Sequence, residues 1–188
     1  KLFSDAQTVG VFQCESAGMR DLMKKMTPQN IYEVMAAIAL YRPGPMHMID
    51  DYVKRKHGKT PIQYIHPLMS DILKETFGVI IYQEQVMQIA VKLTGFTLGQ
   101  ADILRRAMGS KNTDLMEAQR GVFLEKAAKN NVPKQKADEI FDTLARFAEY
   151  GFNKSHSAAY AIIAYQTAYL KANYPIEYMA ALLTSEIG

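Results

Sequence analysis

The sequence has little cysteine, since Cys14 is the only one among 188 residues. An internal disulfide is therefore excluded, and a zinc site built on several cysteines is not expected. A chain without disulfides fits a reducing compartment, so we expect a cytoplasmic protein.

Long apolar runs are also lacking. The longest one, residues 158–170, is interrupted by Gln166 and Thr167 and falls short of the roughly 20 residues that a membrane-spanning helix needs. Residues 1–10 contain no apolar core of a signal peptide. We therefore expect no membrane contact. Because the chain starts at Lys1 rather than at a methionine, we interpret it as a piece of a longer protein.

The charge balance is mild, with a formal net charge of +3. A dedicated nucleic-acid binder is usually more basic, so any contact with a polyanion has to come from local clusters. The hydrophobic fraction of 48% is ordinary for a globular protein. No internal repeat or low-complexity run is present, which argues against a solenoid or a disordered tail.

Several enzyme signatures are missing as well. The sequence has no glycine-rich phosphate loop, no Gly-x-Gly-x-x-Gly fingerprint and no nucleophile elbow. Its four histidines are scattered without an i, i+4 pair. Asp50 and Asp51 are adjacent, so their side chains point in different directions and cannot form a two-metal centre. We predict no metal ligands and no catalytic residues in this chain.

The first part of the chain has helical periodicity. A short helix is predicted over residues 15–26, with Ser16 near its start. Thr27-Pro28 resembles an N-cap followed by proline at the first position of a second helix. That helix must end at residues 41–45, where two prolines and a glycine stand. The β-branched and aromatic segment Gly78–Tyr82 is the best strand candidate.

Local end signals divide the rest into further helices. Residues 83–94 form one that closes at Gly95, and Thr97 with Gln100 forms a capping box that opens the next, which ends at Gly109. Later helices are predicted over residues 115–130, 134–150 and 157–173, and a last one starts at Pro175. We predict one mainly α domain over residues 1–188, a compact multi-helix domain with at most a minor short β element.

Two basic groups suit phosphate binding. Arg105 and Arg106 stand late on a capped helix, where cations also favour the helix dipole. Their alternative role is to bind phosphate oxygens, for which the guanidinium fork is suited. In the segment 150–156, Lys154, Ser155 and His156 precede a nearly uncharged helix whose N-terminus attracts anions. Aromatic rings at Tyr150 and Phe152 add stacking surface, although a serine-capped loop is the structural alternative.

A third basic group surrounds a rigid turn. Arg42 precedes Pro43-Gly44-Pro45, and a basic run follows at residues 54–59. Such a run is usually a solvated face, but it can also follow a phosphate backbone. Candidate DNA or phosphate contacts are Arg42, Lys54, Arg55 and Lys56.

These segments together resemble a known family. The three most specific are Tyr82-Gln-Glu-Gln-Val-Met-Gln-Ile-Ala90, Asp102-Ile-Leu-Arg-Arg-Ala-Met-Gly109 and Tyr150-Gly-Phe-Asn-Lys-Ser-His-Ser-Ala-Ala-Tyr160. Together with residues 8–16, 39–46 and 55–58, these segments are similar, in amino-acid sequence and in their order along the chain, to the bacterial DNA polymerase III alpha subunit, the family C replicative polymerase. The resemblance covers essentially the whole chain.

The resemblance implies the first part of the fingers, which cover the incoming deoxynucleoside triphosphate. It implies that the nucleotide-binding residues are Arg105, Arg106, Tyr150, Phe152, Asn153, Lys154 and His156. The catalytic aspartates and their Mg²⁺ would lie in the palm, outside this fragment, so the fragment has no cofactor and is expected to be inactive alone. Its partners would be primer-template DNA, the palm and other domains, and replisome subunits bound elsewhere. Glu149 stands where a glycine is common and could pair with Lys154 or with Arg105.

Two other functions fit part of the pattern. A non-enzymatic helical nucleic-acid-binding or scaffold module would use the basic run at residues 54–59 and need no triphosphate. A free-standing nucleotide hydrolase is a weaker alternative, because the sequence offers no carboxylate metal centre.

Overall fold

A computed structural model describes residues 1–110, 112–148 and 150–186. Within them the chain is helical, and the only β element is one isolated parallel bridge between Tyr82 and Phe152. This confirms the predicted mainly α class. The α-helices are α1 (Ala17–Met26), α2 (Ile31–Leu40), α3 (Ile49–Lys56), α4 (Ser70–Leu73), α5 (Gln83–Thr94), α6 (Leu98–Met108), α7 (Thr113–Lys129), α8 (Lys134–Ala148), α9 (Lys154–Asn173) and α10 (Pro175–Glu186). Short 3₁₀ turns span Pro45–Met48, Pro67–Met69 and Lys74–Thr76.

The chain divides into two compact units, and the first is discontinuous. It comprises residues 1–53 and 154–188, and the second comprises residues 54–153. Helix α3 begins in the first unit, and its last turn belongs to the second. The prediction that residues 1–188 form one domain stays a prediction.

The core of the first unit is built on α2. Eight of its ten residues are buried, from Glu33 to Leu40, which explains why its sequence is apolar on all sides. Helix α9 packs on α2 through a narrow stripe of small residues, namely Ser157, Ala161, Ala164 and Ala168. Small side chains let the two backbones approach closely, and Ser157 Oγ donates a hydrogen bond to the Met35 carbonyl at 2.7 Å.

The N-terminal segment of the first unit is tied to its C-terminal helices. Lys171 Nζ donates to the carbonyls of Gln7 and Val9 at 2.8 and 2.6 Å. The Phe12 amide donates to Thr167 Oγ1 at 3.2 Å, and the Tyr178 hydroxyl donates to the Gly10 carbonyl. These bonds satisfy backbone groups that have no partner in a helix, so the segment is ordered without regular secondary structure.

Cys14 is completely buried in this unit. Burial raises the pKa of its thiol to about 12, because a thiolate loses its hydration in apolar surroundings. Folding therefore keeps the thiol neutral at pH values where an unfolded cysteine begins to ionise.

We expect Cys14 to resist alkylation by iodoacetamide at pH 8 while the chain is folded. The thiolate is the reactive form, and both its low population and the burial of the sulfur oppose attack. Labelling measured by mass spectrometry should become rapid only after denaturation. Equal labelling rates with and without denaturant would contradict this expectation.

The second unit surrounds α5. Helices α6, α7 and α8 pack against it and against one another. The largest fully buried side chains include Phe123 of α7 and Phe141 of α8, whose ring centroids lie 5.5 Å apart in an edge-to-face arrangement. Such aromatic pairs add about 0.5–1.5 kcal/mol to the stabilisation from burial.

An ion cluster closes the α7–α8 contact at the surface. Arg120 pairs with Asp138 and Asp142, and its guanidinium lies 4.7 Å from the centre of the Phe141 ring. Burial by itself lowers the pKa of Arg120, but the hydrogen bonds accepted by Asp142 and Asp138 outweigh it and raise the pKa. The cluster therefore joins the two helices at the surface next to their aromatic contact.

Most predicted helix ends are confirmed. Gly95 closes α5 in the left-handed region with φ of 69°. Thr97 and Gln100 form the expected reciprocal capping bonds at 3.2 and 3.0 Å. Ser16 caps α1, and Pro175 begins α10. Each of these signals acts within three or four residues, so no distant contact has to be known.

The predicted start of the second helix is wrong. Thr27 closes α1, with φ of 44° and its amide bonded to the Met23 carbonyl. Asn30 is the N-cap of α2, accepting from the Glu33 amide at 3.1 Å, and the Glu33 carboxylate accepts from the Gln29 amide at 2.7 Å. The Asn30 and Glu33 side chains thus satisfy the amides of Glu33 and Gln29, whereas Thr27 already ends α1.

The predicted strand at Gly78–Tyr82 is also wrong. Val79, Ile80, Ile81 and Tyr82 are buried, as β-branched and aromatic residues favour. Only Tyr82 forms a bridge, however, and the Ile81 amide donates to the side chain of Gln85 at 2.9 Å. An extended segment becomes a strand only beside another one, and Phe152 supplies a single pairing residue.

Candidate functional site

The arginine pair lies on the last turns of α6. The buried side of this helix is apolar, with Ala101, Leu104, Ala107 and Met108 facing the core. Arg105 and Arg106 are therefore kept outside the core by the same periodicity that packs the helix. Their side chains differ in exposure, at 21% for Arg105 and 73% for Arg106.

Both arginines bind one carboxylate, that of Asp102. Arg105 donates from Nε and Nη2 to Oδ1 at 3.0 and 2.8 Å, and Arg106 Nη2 lies 2.8 Å from Oδ2. The spacings i, i+3 and i, i+4 bring these side chains to one face of the helix. The local charge is therefore about +1, and the direction of both guanidinium groups is set before any ligand binds.

Hydrogen bonds from Arg105 hold the pKa of Asp102 below its ordinary value, and the charge of Arg106 acts in the same direction. Because the pKa is depressed in the folded chain, the pairing stabilises the fold above the pKa of an unfolded aspartate, about 3.9. That stabilisation is lost as the pH falls through the lower folded-state pKa.

We expect NMR titration of the Asp102 carboxyl carbon to give a midpoint below that of an unpaired aspartate. Arg105→Ala should raise the midpoint, since it removes the largest cause of the shift. Lys136→Ala, which breaks an exposed pair with Glu139 on α8, should leave the Asp102 midpoint in place. A midpoint unaffected by Arg105→Ala would show that the pairing does not persist in solution.

The aromatic segment at residues 150–153 is fixed by backbone pairing in the second unit. The Phe152 amide donates to the Ile81 carbonyl at 3.0 Å, and the Gln83 amide donates to the Phe152 carbonyl at 2.9 Å. A Cβ at Gly151 would lie 3.0 Å from Gln83 Cγ and 3.3 Å from the Phe147 carbonyl. Glycine therefore allows the segment to approach the start of α5. Tyr150 remains 40% exposed.

Lys154 and His156 lie in the first turn of α9, which starts three residues earlier than predicted. The structural reason is that residues 154–156 continue the helix whose small residues pack on α2. Neither Ser155 nor Ser157 precedes the helix as a cap, and Ser157 is instead buried against Met35. The His156 ring lies 4.1 Å from that of Tyr160, centre to centre. The Lys154 and His156 side chains thus lie at the N-terminal end of a helix, the end whose dipole favours anions.

In the third basic group, the two arginines bind backbone carbonyls. Arg42 Nε donates to the Ala39 carbonyl at 2.8 Å, which satisfies the C-terminal end of α2. Burial lowers the pKa of Arg42. Arg55 donates to the Gly78 carbonyl at 3.2 Å, while Lys54 is exposed and Lys56 half-buried. Their role in DNA contact stays a prediction.

The predictions about Glu149, metal ligands and membrane helices depend on which residues the structure describes. Glu149 lies outside the described residues, and the carboxylate that Arg105 binds is Asp102. Among the residues that the structure describes, no three histidine, cysteine, aspartate or glutamate side chains converge as a metal site. In the same part of the chain, no helix is both long and apolar enough to cross a membrane.

Comparison with known proteins decides the family. Residues 1–131 match the sequence profile described as the bacterial DNA polymerase III alpha subunit finger domain. The chain belongs to this family. The match ends before the segment 150–156, which the relatives described next do cover.

The relatives of this finger domain are named DNA polymerase III subunit alpha. The chain is 55% identical over 185 residues to that of Chlamydia trachomatis and 54% over 188 residues to that of Caulobacter vibrioides. It is 48% identical over 188 residues to that of Aquifex aeolicus. These matches cover 98%, 100% and 99% of the chain but only 15–16% of each relative. The finger domain thus spans about a sixth of the proteins it matches.

Sequence reasoning missed Asp102 as the partner of both arginines. Its spacing from Arg105 and Arg106 is the usual one for ion pairs along a helix and would have identified it. In the finger domain, the carboxylate is the group that connects them.

Proposed function

We propose that this finger domain binds the triphosphate of an incoming deoxynucleotide and positions it for template-directed DNA synthesis. The observation that supports this most is the pair Arg105 and Arg106, oriented by one carboxylate at the end of α6. Guanidinium forks match phosphate oxygens in geometry, and a pre-oriented fork loses less side-chain entropy on binding.

The segment 150–156 supplies the other contacts in this proposal. Lys154 adds a cation at the start of α9, where the first-turn amides attract negative charge. Tyr150 and Phe152 offer aromatic faces for a base or sugar, and Asn153 and His156 offer hydrogen-bonding groups.

Catalysis belongs, in this proposal, to other parts of a parent polymerase. The palm would hold the catalytic aspartates and Mg²⁺, and the fingers would contribute positioning and charge compensation. Primer-template DNA, further polymerase domains and replisome subunits are the proposed partners, and the cytoplasm is the proposed location. Lys54 and Lys56 are proposed to contact the DNA backbone, together with Arg42 and Arg55.

The proposal predicts that the isolated chain performs no primer extension but binds a deoxynucleoside triphosphate weakly. Calorimetric titration with the nucleotide should show heat that disappears in a variant carrying Arg105→Ala and Lys154→Ala. Extension by a preparation free of contaminating polymerase would refute the assignment of chemistry to other domains.

The same titrations test the rival scaffold function. A scaffold that uses residues 54–59 would bind duplex DNA with a steep dependence on salt and would be indifferent to added nucleotide. Binding to DNA that survives Lys54→Ala with Lys56→Ala, together with no nucleotide heat in the unaltered chain, would reject both proposals.

A further inference from the structure

A buried amide lies behind the aromatic segment at residues 150–153. Gln85, on the first turn of α5, is 1% exposed, and glutamine is rarely buried so completely. Such burial is costly unless every donor and acceptor of the amide has a partner. The hydrogen-bond partners of Gln85 therefore have to be found inside the unit.

All hydrogen-bonding positions of the Gln85 amide are used. Its oxygen accepts from the amides of Ile81 and Tyr82 at 2.9 and 3.1 Å. Its nitrogen donates to Thr76 Oγ1 at 2.9 Å and to the Ile72 carbonyl at 3.4 Å. An amide offers two donors and an oxygen with two lone pairs, so this set is complete.

Thr76 extends the network toward the same segment. It is buried, and its hydroxyl donates to the Val79 carbonyl at 2.6 Å while it accepts from Gln85. The backbone from Val79 to Tyr82 is thus held from one side by two side chains. This explains how an extended segment without a neighbouring strand keeps one conformation.

The held backbone is the one that pairs with the aromatic segment. The Ile81 carbonyl accepts from the Phe152 amide, and the Gln83 amide donates to the Phe152 carbonyl. Gln85 bonds the amides of Ile81 and Tyr82, which leaves the Ile81 carbonyl directed at Phe152. The contacts form one chain, from Thr76 through Gln85 and residues 81–83 to Phe152.

We propose that Gln85 is a positioning residue for nucleotide binding, acting through residues 81–83 on Phe152 and Asn153. It does not contact the nucleotide itself. This inference rests on the proposed function, because it assumes that the segment 150–153 contacts the incoming nucleotide. The competing interpretation is that Gln85 only caps α5 and stabilises the fold.

The test uses Gln85→Met in a full-length polymerase that carries this finger domain. Methionine keeps the length of the side chain and removes its hydrogen bonds. We expect kcat/KM for the incoming deoxynucleoside triphosphate to fall between about 10- and 100-fold through a raised KM, as displacement of a binding group implies. Amide hydrogen exchange in peptides that contain residues 150–153 should become faster.

Thr94→Val is the matched control at the other end of α5. Thr94 is buried, donates to the Ala90 carbonyl at 2.8 Å and accepts from the Phe96 amide at 3.2 Å. This variant loses the same kind of bond, and nucleotide KM and exchange at residues 150–153 should not change. Thr76→Val should shift KM in the same direction as Gln85→Met, and Thr76→Ser, which keeps the hydroxyl, should not.

The outcomes separate this inference from the proposed function. Unchanged exchange at residues 150–153 in Gln85→Met would overturn it, as would equal KM changes in Gln85→Met and Thr94→Val. Faster exchange with an unchanged KM would also overturn the positioning role of Gln85. The nucleotide KM of Asn153→Ala then shows whether the proposed nucleotide contact of this segment fails as well. A raised KM in Asn153→Ala would support the proposed contact between Asn153 and the nucleotide, whereas an unchanged KM would contradict that contact.

Discussion

Replacing Arg105 with alanine in a full-length polymerase that carries this finger domain is expected to lower kcat/KM for the incoming nucleotide between about 10- and 150-fold. This range corresponds to about 1.5–3 kcal/mol, the contribution of a hydrogen bond to a charged group. Arg105 is largely covered and is held by Asp102 through Nε and Nη2, so the other edge of its guanidinium can bind phosphate without a large entropy cost. Steady-state primer extension at varied nucleotide concentration measures the effect.

Two further variants show which property of Arg105 matters. Arg105→Lys keeps the charge and loses the fork, so we expect most of the loss to remain. Lys136→Ala removes one positive charge from an exposed pair on α8, and we expect wild-type kinetics from it. If Arg105→Ala and Lys136→Ala behave alike, the guanidinium has no specific contact with the triphosphate.

Replacing Phe123 with alanine is expected to destabilise the second unit by about 3–5 kcal/mol. The ring is fully buried between α7 and α8 and meets Phe141 edge to face. Truncation therefore removes buried apolar surface and the aromatic contact, and it leaves a cavity that rigid helices cannot close. Urea denaturation followed by circular dichroism gives the free energy of unfolding.

The neighbouring residue on the same helix provides the control. Val122 is 42% exposed, and Val122→Ala should change the free energy of unfolding by no more than about 0.5 kcal/mol. Similar losses in both variants would mean that the α7–α8 interface does not depend on the buried ring.

Sequence signals predicted the helix ends that depend on neighbouring residues. Gly95, Thr97 with Gln100, and Pro175 lie where the chain was expected to turn, because each acts on the backbone within one helical turn. Thr27 was misjudged because two overlapping signals competed. Pro28 suggested a beginning, whereas Thr27 ends α1 and Asn30 begins α2.

The remaining errors concern distant partners. The segment Gly78–Tyr82 has the composition of a strand, but its amides bond to a glutamine side chain, which composition does not reveal. Helix α9 begins at Lys154 rather than at the predicted residue 157, and the small residues further along this helix pack on α2. The sequence marked the two arginines as candidate phosphate ligands, which stays a prediction, and the carboxylate that pairs with both was overlooked despite its regular spacing.

The discontinuity of the first unit has a consequence for the order of events on the ribosome. Residues 54–153 hold every member of the core formed by α5 to α8, so this core can form once α8 has been synthesised. The packing of α2 against α9 can form only later, because α9 is synthesised after the whole second unit. During that interval the face of α2 that α9 covers is exposed to solvent, while α1 and the turn at Pro45–Met48 can already pack on its other side. In the nascent chain, the core of the second unit is therefore available for packing before the core of the first unit has all its parts.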